Sequence, residues 1–585
     1  MNPGSLTASE HEALKSYRFR HDALLVLTIG AVAACGLIYE YLMAHYAGRI
    51  LGVLESTIYA MIGLMITAMG LGAFCAKWIT SIYRGFAWLE LAIGMLGVSA
   101  VLILSGGIAL TYSLPEAIRT VYGLDESIRL GGGLVQVLEV TSKVLPFLLG
   151  AIIGFLVGME IPLIARIREN IHQQHLEHNL GTMYGADYIG AGIGAAIWVV
   201  VCLKIPIIYA AVGTASLNAF IGIVFLVIYR KQIGSALSLW IGHAFLVILL
   251  VVMALYGSQW MTQLTHTLFA DKVVHELNTP YQSLVLTKRH ISKSKPSVLS
   301  LYINGRLQFA SNDEHIYHSY LTAPVLFSAN NPKRILILGG GDGLAVRDVL
   351  QWNDIEAVTL IDIDKAMLDL FKGIDSTAPD WLSQDLVRLN ENSLNDPRVE
   401  LIVADAFIEI ERMIDRGAQF DAIIVDLPDP SHPDLNRLYS DFFYARLKQV
   451  LSPDGAIVVQ STSPFHAENA FFSVGRTLEQ AGFKAERYHA NVPSFGEWGW
   501  SIGVVQGAPP SQRIANHPQS IDPMGMLAKP QMLAAFVFPV GYLKKAESVQ
   551  VNELGSHILY NYHQEAWQTG FGLYYAIPES ATPEK

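Results

Sequence analysis

The chain has 585 residues, 52% hydrophobic and only 16% charged, with a mean hydropathy of +0.35 and a formal net charge of −11. Soluble domains carry roughly 25% charged residues, so the composition argues against a wholly soluble protein; low hydrophobicity with high charge, the mark of disorder, is absent. No broad basic field exists to hold nucleic acid.

The averages conceal a division. Residues 1–257 hold 14 of the 51 acidic and 14 of the 40 basic side chains, so the remaining 37 acids and 26 bases carry the whole net charge. A span needs about 20 mostly apolar residues to cross roughly 30 Å of hydrocarbon. Seven runs qualify, at about 23–45, 56–78, 86–110, 143–165, 184–204, 206–229 and 237–257. The expectation is an N-terminal segment 1–22 followed by an α-helical transmembrane bundle over 23–257. Lys15, Arg18 and Arg20, then Lys77 with Arg84, Arg166 with Arg168, and Arg230 with Lys231 mark alternate loops as cytoplasmic. Seven crossings from that start would put the acidic half outside. The expected location is nevertheless the inner membrane, multi-pass, with the acidic half cytoplasmic. Three ways reconcile the count: a miscounted span, with 111–142 the first place to look, a failure of the charge rule here, or a domain that really is external. Cys35, Cys75 and Cys202 all lie in apolar runs, which implies no disulfide framework. Glu40, Glu90, Glu160, Asp187 and His243 also sit in such runs. Ionisable groups are costly in lipid and face the bundle interior. Helix–helix hydrogen bonding beside small residues such as 190–194 is their ordinary reading, and a cation path is the functional one.

The second half opens with β structure. Residues 283–289 read as a strand, and VLSLYI and RLQFA flank Asn304-Gly305, a type I′ hairpin turn. RILIL (334–338), the loop Gly339-Gly340-Gly341-Asp342-Gly343 and a helical stretch then form a strand–loop–helix unit. VTLID (358–362) is a second strand with Asp362 at its carboxyl end. Glycines let a backbone approach a nucleotide, and an acid about 20 residues on can hold ribose hydroxyls; a tight turn is the plainer alternative. VELIV (399–403), DAIIVD (421–426) and GAIVVQ (455–460) continue the alternation, which predicts a Rossmann-like, doubly wound parallel sheet with ligands at the strand carboxyl ends. Those ends are acidic: Asp342, Asp362, Asp405, and Asp426 with Asp429 in a stiff Asp-Leu-Pro-Asp-Pro loop. Paired carboxylates can draw in a cationic amine and take its proton. A helix cap or a divalent metal are the alternatives, but no His/Cys set supports a transition metal.

With these motifs in view, the second half resembles the spermidine synthases, or polyamine aminopropyltransferases. The resemblance rests on YINGRLQF, DEHIYH (313–318), GGGDG (339–343), LIDID (360–364), DPRVELIVADAF (396–407), IIVDLPDP (423–430), LYS (438–440), QSTSP (460–464) and NVPSFGEWGW (491–500). YEYLMAHYAGRILG, VGMEIPLIARI and YGADYIGAGIGA resemble the membrane extension of some bacterial members. The family implies an α/β methyltransferase-type domain at 326–507 after a small β region (258–325). Its reaction transfers an aminopropyl group from decarboxylated S-adenosylmethionine to a polyamine such as putrescine, with no cofactor or metal. By resemblance, Gly339, Gly340, Gly341 and Gly343 form the donor loop, Asp362 holds the ribose, Asp405 and Ala406 flank the adenine, and Gln282 and His318 add donor contacts. Asp342 would grip the donor's propylammonium and reject ordinary S-adenosylmethionine. On the acceptor side, Asp426 would be the base, Tyr317 would orient the amine and Asp429 would pair with it. Phe495 departs from the family, which often carries a tyrosine there; Trp498 or a water would have to serve instead. A methyltransferase, or a membrane polyamine sensor or transporter with a non-catalytic domain, are the competing readings. Residues 508–585, loop-like to about 530, read as a covering extension, with a lid or a homo-oligomer contact as alternatives.

Overall fold

In a computed structural model, which describes residues 8–51, 54–122, 133–172, 179–267, 269, 271–290 and 296–568, the chain divides into two units, Met1–Ala270 and Asp271–Lys585.

Among the described residues, the first unit contains seven helices long and apolar enough to cross a membrane: Arg18–Gly48, Thr57–Trp78, Ile82–Pro115, Gly133–His172, Asn179–Lys204, Ile207–Ile228 and Leu237–Leu264. Small residues let them pack closely. A Cβ on Gly190 would stand 2.1 Å from the Gly30 carbonyl oxygen, and one on Gly194 2.6 Å from that of Ala34, so Asn179–Val200 lies directly on Ala8–Leu51. Within 111–142 the third helix runs on to Tyr122 and the fourth begins at Gly133, with no separate span among the described residues; 123–132 lie outside them. The last helix continues to His266, so residues 258–266 are helical rather than part of a β region.

The second unit begins with a four-stranded antiparallel sheet, β1 (Lys272–Asn278), β2 (Ser283–Arg289), β3 (Val298–Ile303) and β4 (Arg306–Ala310). Asn304 and Gly305, at φ 51° and 79°, make the β3–β4 turn with positive φ at both centres. β1 was not legible in advance, because KVVHELN lacks a buried alternation: Val273 is its one buried residue.

Seven strands follow, β5 (Arg334–Gly339), β6 (Ala357–Asp362), β7 (Val399–Val403), β8 (Phe420–Asp426), β9 (Leu451–Gln460), β10 (Lys484–Val492) and β11 (Gly496–Val504), in the order β10-β11-β9-β8-β5-β6-β7. β5 to β9 are parallel, but β11 runs antiparallel to both of its neighbours, β9 and β10. The sheet is therefore mixed, which corrects the all-parallel expectation. Three residues, Pro493 to Phe495, join β10 to β11, and a parallel crossover needs a dozen or more. Alternate residues feed two cores: Ile335, Ile337 and Ile424 pack on one face, Leu336, Leu338 and Val425 on the other. All five parallel strands end at one edge. The closing stretch carries helices Pro510–Asn516, Lys529–Ala534 and Ile558–Gln568, the first within the segment expected to be loop; Ile514, Met532 and Leu559 anchor the three in the core.

Candidate active site

The parallel register sets Gly339 beside Asp426, so the end of β5 delivers its loop directly onto the end of β8. Glycine is required there: Gly339 and Gly340 have φ of 78° and 64°, and a Cβ on Gly339 would stand 2.2 Å from the Asp426 carbonyl oxygen. A Cβ on Gly341 would stand 2.6 Å from Asp362 Oδ2. Gly343, at φ 77°, opens the helix Leu344–Leu350. The loop therefore runs between Asp426 and Asp362, and these two predicted residues come together with all four glycines.

Asp362 accepts from the Asp364 amide at 2.8 Å, and burial pushes its carboxyl up to about 7. Asp342 is buried, accepts from the Leu344 amide at 2.9 Å and is likewise pushed upward by burial, against the pull of the His318 charge. His318 lies on the helix Glu314–Ser328 with Nδ1 2.8 Å from Glu314 Oε2. Burial works against its charge, but Glu314 lifts it to about 9, so the imidazole is a cation at neutral pH. Glu314 is itself held by Arg347 at 2.8 Å, and Arg347 also pairs with Asp348 at 2.8 Å.

Tyr317, one residue before His318, donates its hydroxyl to Asp426 Oδ1 at 2.7 Å. Burial pushes the Asp426 carboxyl up to about 6, with His318 opposing, Asp342 adding and Tyr317 opposing. Phe495, Trp498 and Trp500 surround the Tyr317 ring at 6.0, 6.5 and 5.6 Å between centroids. An aromatic cluster thus lies next to the Asp426 carboxylate, a combination of groups suited to an alkylammonium.

Asp429 is held differently. Its Oδ1 accepts from Gln460 Nε2 at 3.3 Å, and its Oδ2 lies 3.4 Å from His563 Nε2. Arg306 Nη1 is 3.2 Å from the same imidazole nitrogen. Burial opposes ionisation, but His563, Arg306 and Gln460 together hold the carboxyl below the usual range. Gln460 Nε2 also donates to the Leu427 carbonyl and Tyr439 Oη, both at 2.8 Å, which clamps the Asp-Pro loop from β9.

Two predicted residues take structural partners. Gln282 donates to Asp364 Oδ2 at 2.9 Å, tying the first sheet to the end of β6. Asp405 caps the helix Ala406–Asp415 through the Phe407 amide and pairs with Arg437 at 2.7 Å; Ala406 is that helix's buried first residue. Sequence reasoning missed Arg437, Arg306 and His563. The first two lay inside or beside quoted motifs, whereas His563 sits in the stretch read as a plain extension and carried no local signal. Among the described residues, no three His, Cys, Asp or Glu side chains form a metal-ligand set.

Fold and site define an α/β enzyme of the class whose ligands lie at strand carboxyl ends, with a glycine loop facing carboxylates. Residues 314–515 match the spermine/spermidine synthase domain. The polyamine aminopropyltransferase of Shewanella oneidensis is 48% identical over 552 residues, 94% of this chain and 96% of its own. Polyamine aminopropyltransferase 2 of Ralstonia nicotianae is 33% identical over 495 residues, 83% of this chain and 88% of its own. A solved spermidine synthase in complex with the transition state analogue AdoDATO matches 48% of this chain and 90% of its own at 20% identity and a TM-score of 0.40. The chain belongs to the polyamine aminopropyltransferases.

Proposed function

We propose that the protein transfers the aminopropyl group of decarboxylated S-adenosylmethionine to a diamine, putrescine first among them, and releases methylthioadenosine. The observation that carries this reading is Asp426: its carboxylate accepts from Tyr317 at 2.7 Å and borders the glycine loop, with Oδ2 3.2 Å from where a Gly340 Cβ would be. Donor and base thus meet at one strand end.

The donor is a sulfonium and needs no further activation. Asp362 would hold its ribose and Asp342 its propylammonium, while His318 offsets part of the negative charge. Gln282 and Asp405 would support the donor's surroundings through Asp364 and the Ala406–Asp415 helix. An acceptor amine is protonated in water, with a pKa near that of lysine at about 10.4. Asp426 draws the ammonium in and takes a proton. The freed lone pair attacks the propyl carbon, the carbon–sulfur bond breaks, and its electron pair returns to sulfur. Tyr317 fixes the carboxylate, and Asp429 pairs with the acceptor. Trp498 cannot replace the tyrosine absent at Phe495, because an indole N–H only donates and the attacking lone pair must stay free. It acts instead as an apolar wall for the acceptor's methylenes. Most of the acceleration is positioning and electrostatics.

The first unit is read as a multi-pass membrane anchor, supported by its seven apolar helices. The catalytic unit is assigned to the cytoplasm, the compartment in which its metabolite substrates are expected. That choice runs against the basic loops, and labelling of a C-terminal tag by an impermeant reagent in intact cells would overturn it. For the reaction, the test is a panel of diamines with decarboxylated S-adenosylmethionine. Methylthioadenosine should form fastest with putrescine; none with any diamine would refute the transfer, and a faster longer diamine would refute the acceptor.

A further inference from the structure

Residues 549–568 lie past the matched domain, which ends at residue 515, yet they meet the Asp-Pro loop by two routes. The first is direct. His563, fully buried on the helix Ile558–Gln568, sets its Nε2 3.4 Å from Asp429 Oδ2, and Arg306 Nη1 lies 3.2 Å from the same nitrogen. The second runs through Asn552, also fully buried, and Asn436, 116 residues away. Asn436 Nδ2 donates to Asn552 Oδ1 at 2.8 Å, and Asn552 Nδ2 donates to the Asn436 carbonyl at 2.8 Å. The Tyr560 amide donates to Asn436 Oδ1 at 3.1 Å. Asn436 ends the short helix Pro433–Asn436 just after the Asp-Pro loop. Three residues further on, Tyr439 Oη donates to the Leu427 and Pro428 carbonyls at 3.2 and 3.0 Å, so the segment that Asn552 holds in turn holds the loop. A mere cover needs only apolar anchors such as Leu559. This stretch adds buried polar groups, each paired, and they converge on one loop.

Asp426 and Asp429 are placed by different means. Asp426 ends β8, where sheet register and the Tyr317 hydroxyl fix it. Asp429 lies three residues on, past Pro428 and outside the sheet, and its carboxylate meets Gln460 and His563. On the aminopropyltransferase reading, on which this step rests, a diamine presents its reacting end to Asp426 and its far ammonium to Asp429. The separation of the two carboxylates then decides how many methylenes fit. We infer that residues 549–568 are the specificity element of the acceptor site: they hold Asp429 at the spacing that selects one diamine length. His563 does so directly, and Asn552 by way of Asn436 and Tyr439. Both are positioning residues, acting through Asp429 and its loop rather than on the reacting atoms. One methylene more or less is worth about 10–200-fold in a fitted pocket, and selection of that size needs a carboxylate that does not drift.

The test is kcat/KM for methylthioadenosine release with 1,3-diaminopropane, putrescine and cadaverine, in full-length wild type, His563→Ala and Asn552→Ala, with donor Kd by calorimetry. Wild type should favour one length at least tenfold. Both variants should narrow that preference to about threefold, with donor Kd within about threefold of wild type. His563→Gln, whose amide can reach Asp429, should restore part of the preference. Length preference is a ratio, so a loss of folded protein alone does not move it. Asn552→Ala decides the matter if His563→Ala fails to fold. A wild type without length preference, or a folded variant that keeps it in full, would overturn the inference while leaving the transfer reading intact. Methylthioadenosine from no diamine would refute the transfer reading and this inference with it.

Discussion

Tyr317→Phe removes one hydroxyl and leaves the ring among Phe495, Trp498 and Trp500. In the wild type, the Asp426 carboxyl stands at about 6, raised by burial and lowered in part by this hydroxyl, which donates at 2.7 Å. Activity requires the ionised form, so kcat/KM for the amine should fall below about pH 6, one decade per unit. A hydrogen bond to a charged group is worth about 1.5–3 kcal/mol. At 1.36 kcal/mol per unit, its loss raises the carboxyl by about one to two units. The sign is fixed, because removing a donor that favours the charged form moves the acidic limb upward, to about pH 7–8. At pH 7 the ionised fraction then drops from about nine-tenths to between about a half and a tenth, and it recovers towards pH 9. The assay is methylthioadenosine release at subsaturating amine and saturating donor, from pH 5.5 to 9. An unmoved limb, or a loss equal at every pH, would refute the assignment of Asp426 as the group that titrates.

Three further substitutions probe other parts of the site. Gly341→Ala would put a Cβ 2.6 Å from Asp362 Oδ2, so the aspartate must move; donor Kd should rise about tenfold or more, roughly 1.4 kcal/mol by calorimetry, and an unchanged Kd would remove Asp362 from the donor site. His563→Ala takes away a partner of Asp429 at 3.4 Å, and the acceptor KM should rise about fivefold, roughly 1 kcal/mol, with donor KM unchanged. Partial rescue by His563→Gln would separate positioning of Asp429 from a packing defect. Glu314→Gln breaks a buried pair with Arg347 and should lower stability by about 3–5 kcal/mol in chemical denaturation; a change under about 1 kcal/mol would mean that Asp348 alone suffices for Arg347.

What could be read in advance follows from how local the cause is. The glycine loop, the acid after β6 and the Asp-Pro loop after β8 are each set by a few consecutive residues at a strand end, and parallel register then brings them together. The seven apolar helices were legible because span length is a property of composition. The reversal of β11 was harder to see, since NVPSFGEWGW reads as a motif and its three-residue turn was not weighed against the length a crossover needs. His563 was invisible for another reason. It reaches Arg306 across 257 residues, and no pattern within Ile558–Gln568 announces that partner. The Phe407–Arg437 contact at 5.3 Å and the Asp405–Arg437 pair at 2.7 Å cross a shorter stretch, 32 residues for the latter, yet join different elements that no local pattern links.

The central claim is that Asp426 takes the proton of an amine attacking the donor, and the most direct measurement compares methylthioadenosine formation by wild type and Asp426→Asn with decarboxylated S-adenosylmethionine and putrescine. The predicted result is a fall in kcat of about 10²–10⁴-fold, the range for a lost general base, with both substrates still bound. A variant within threefold of wild type would contradict the account.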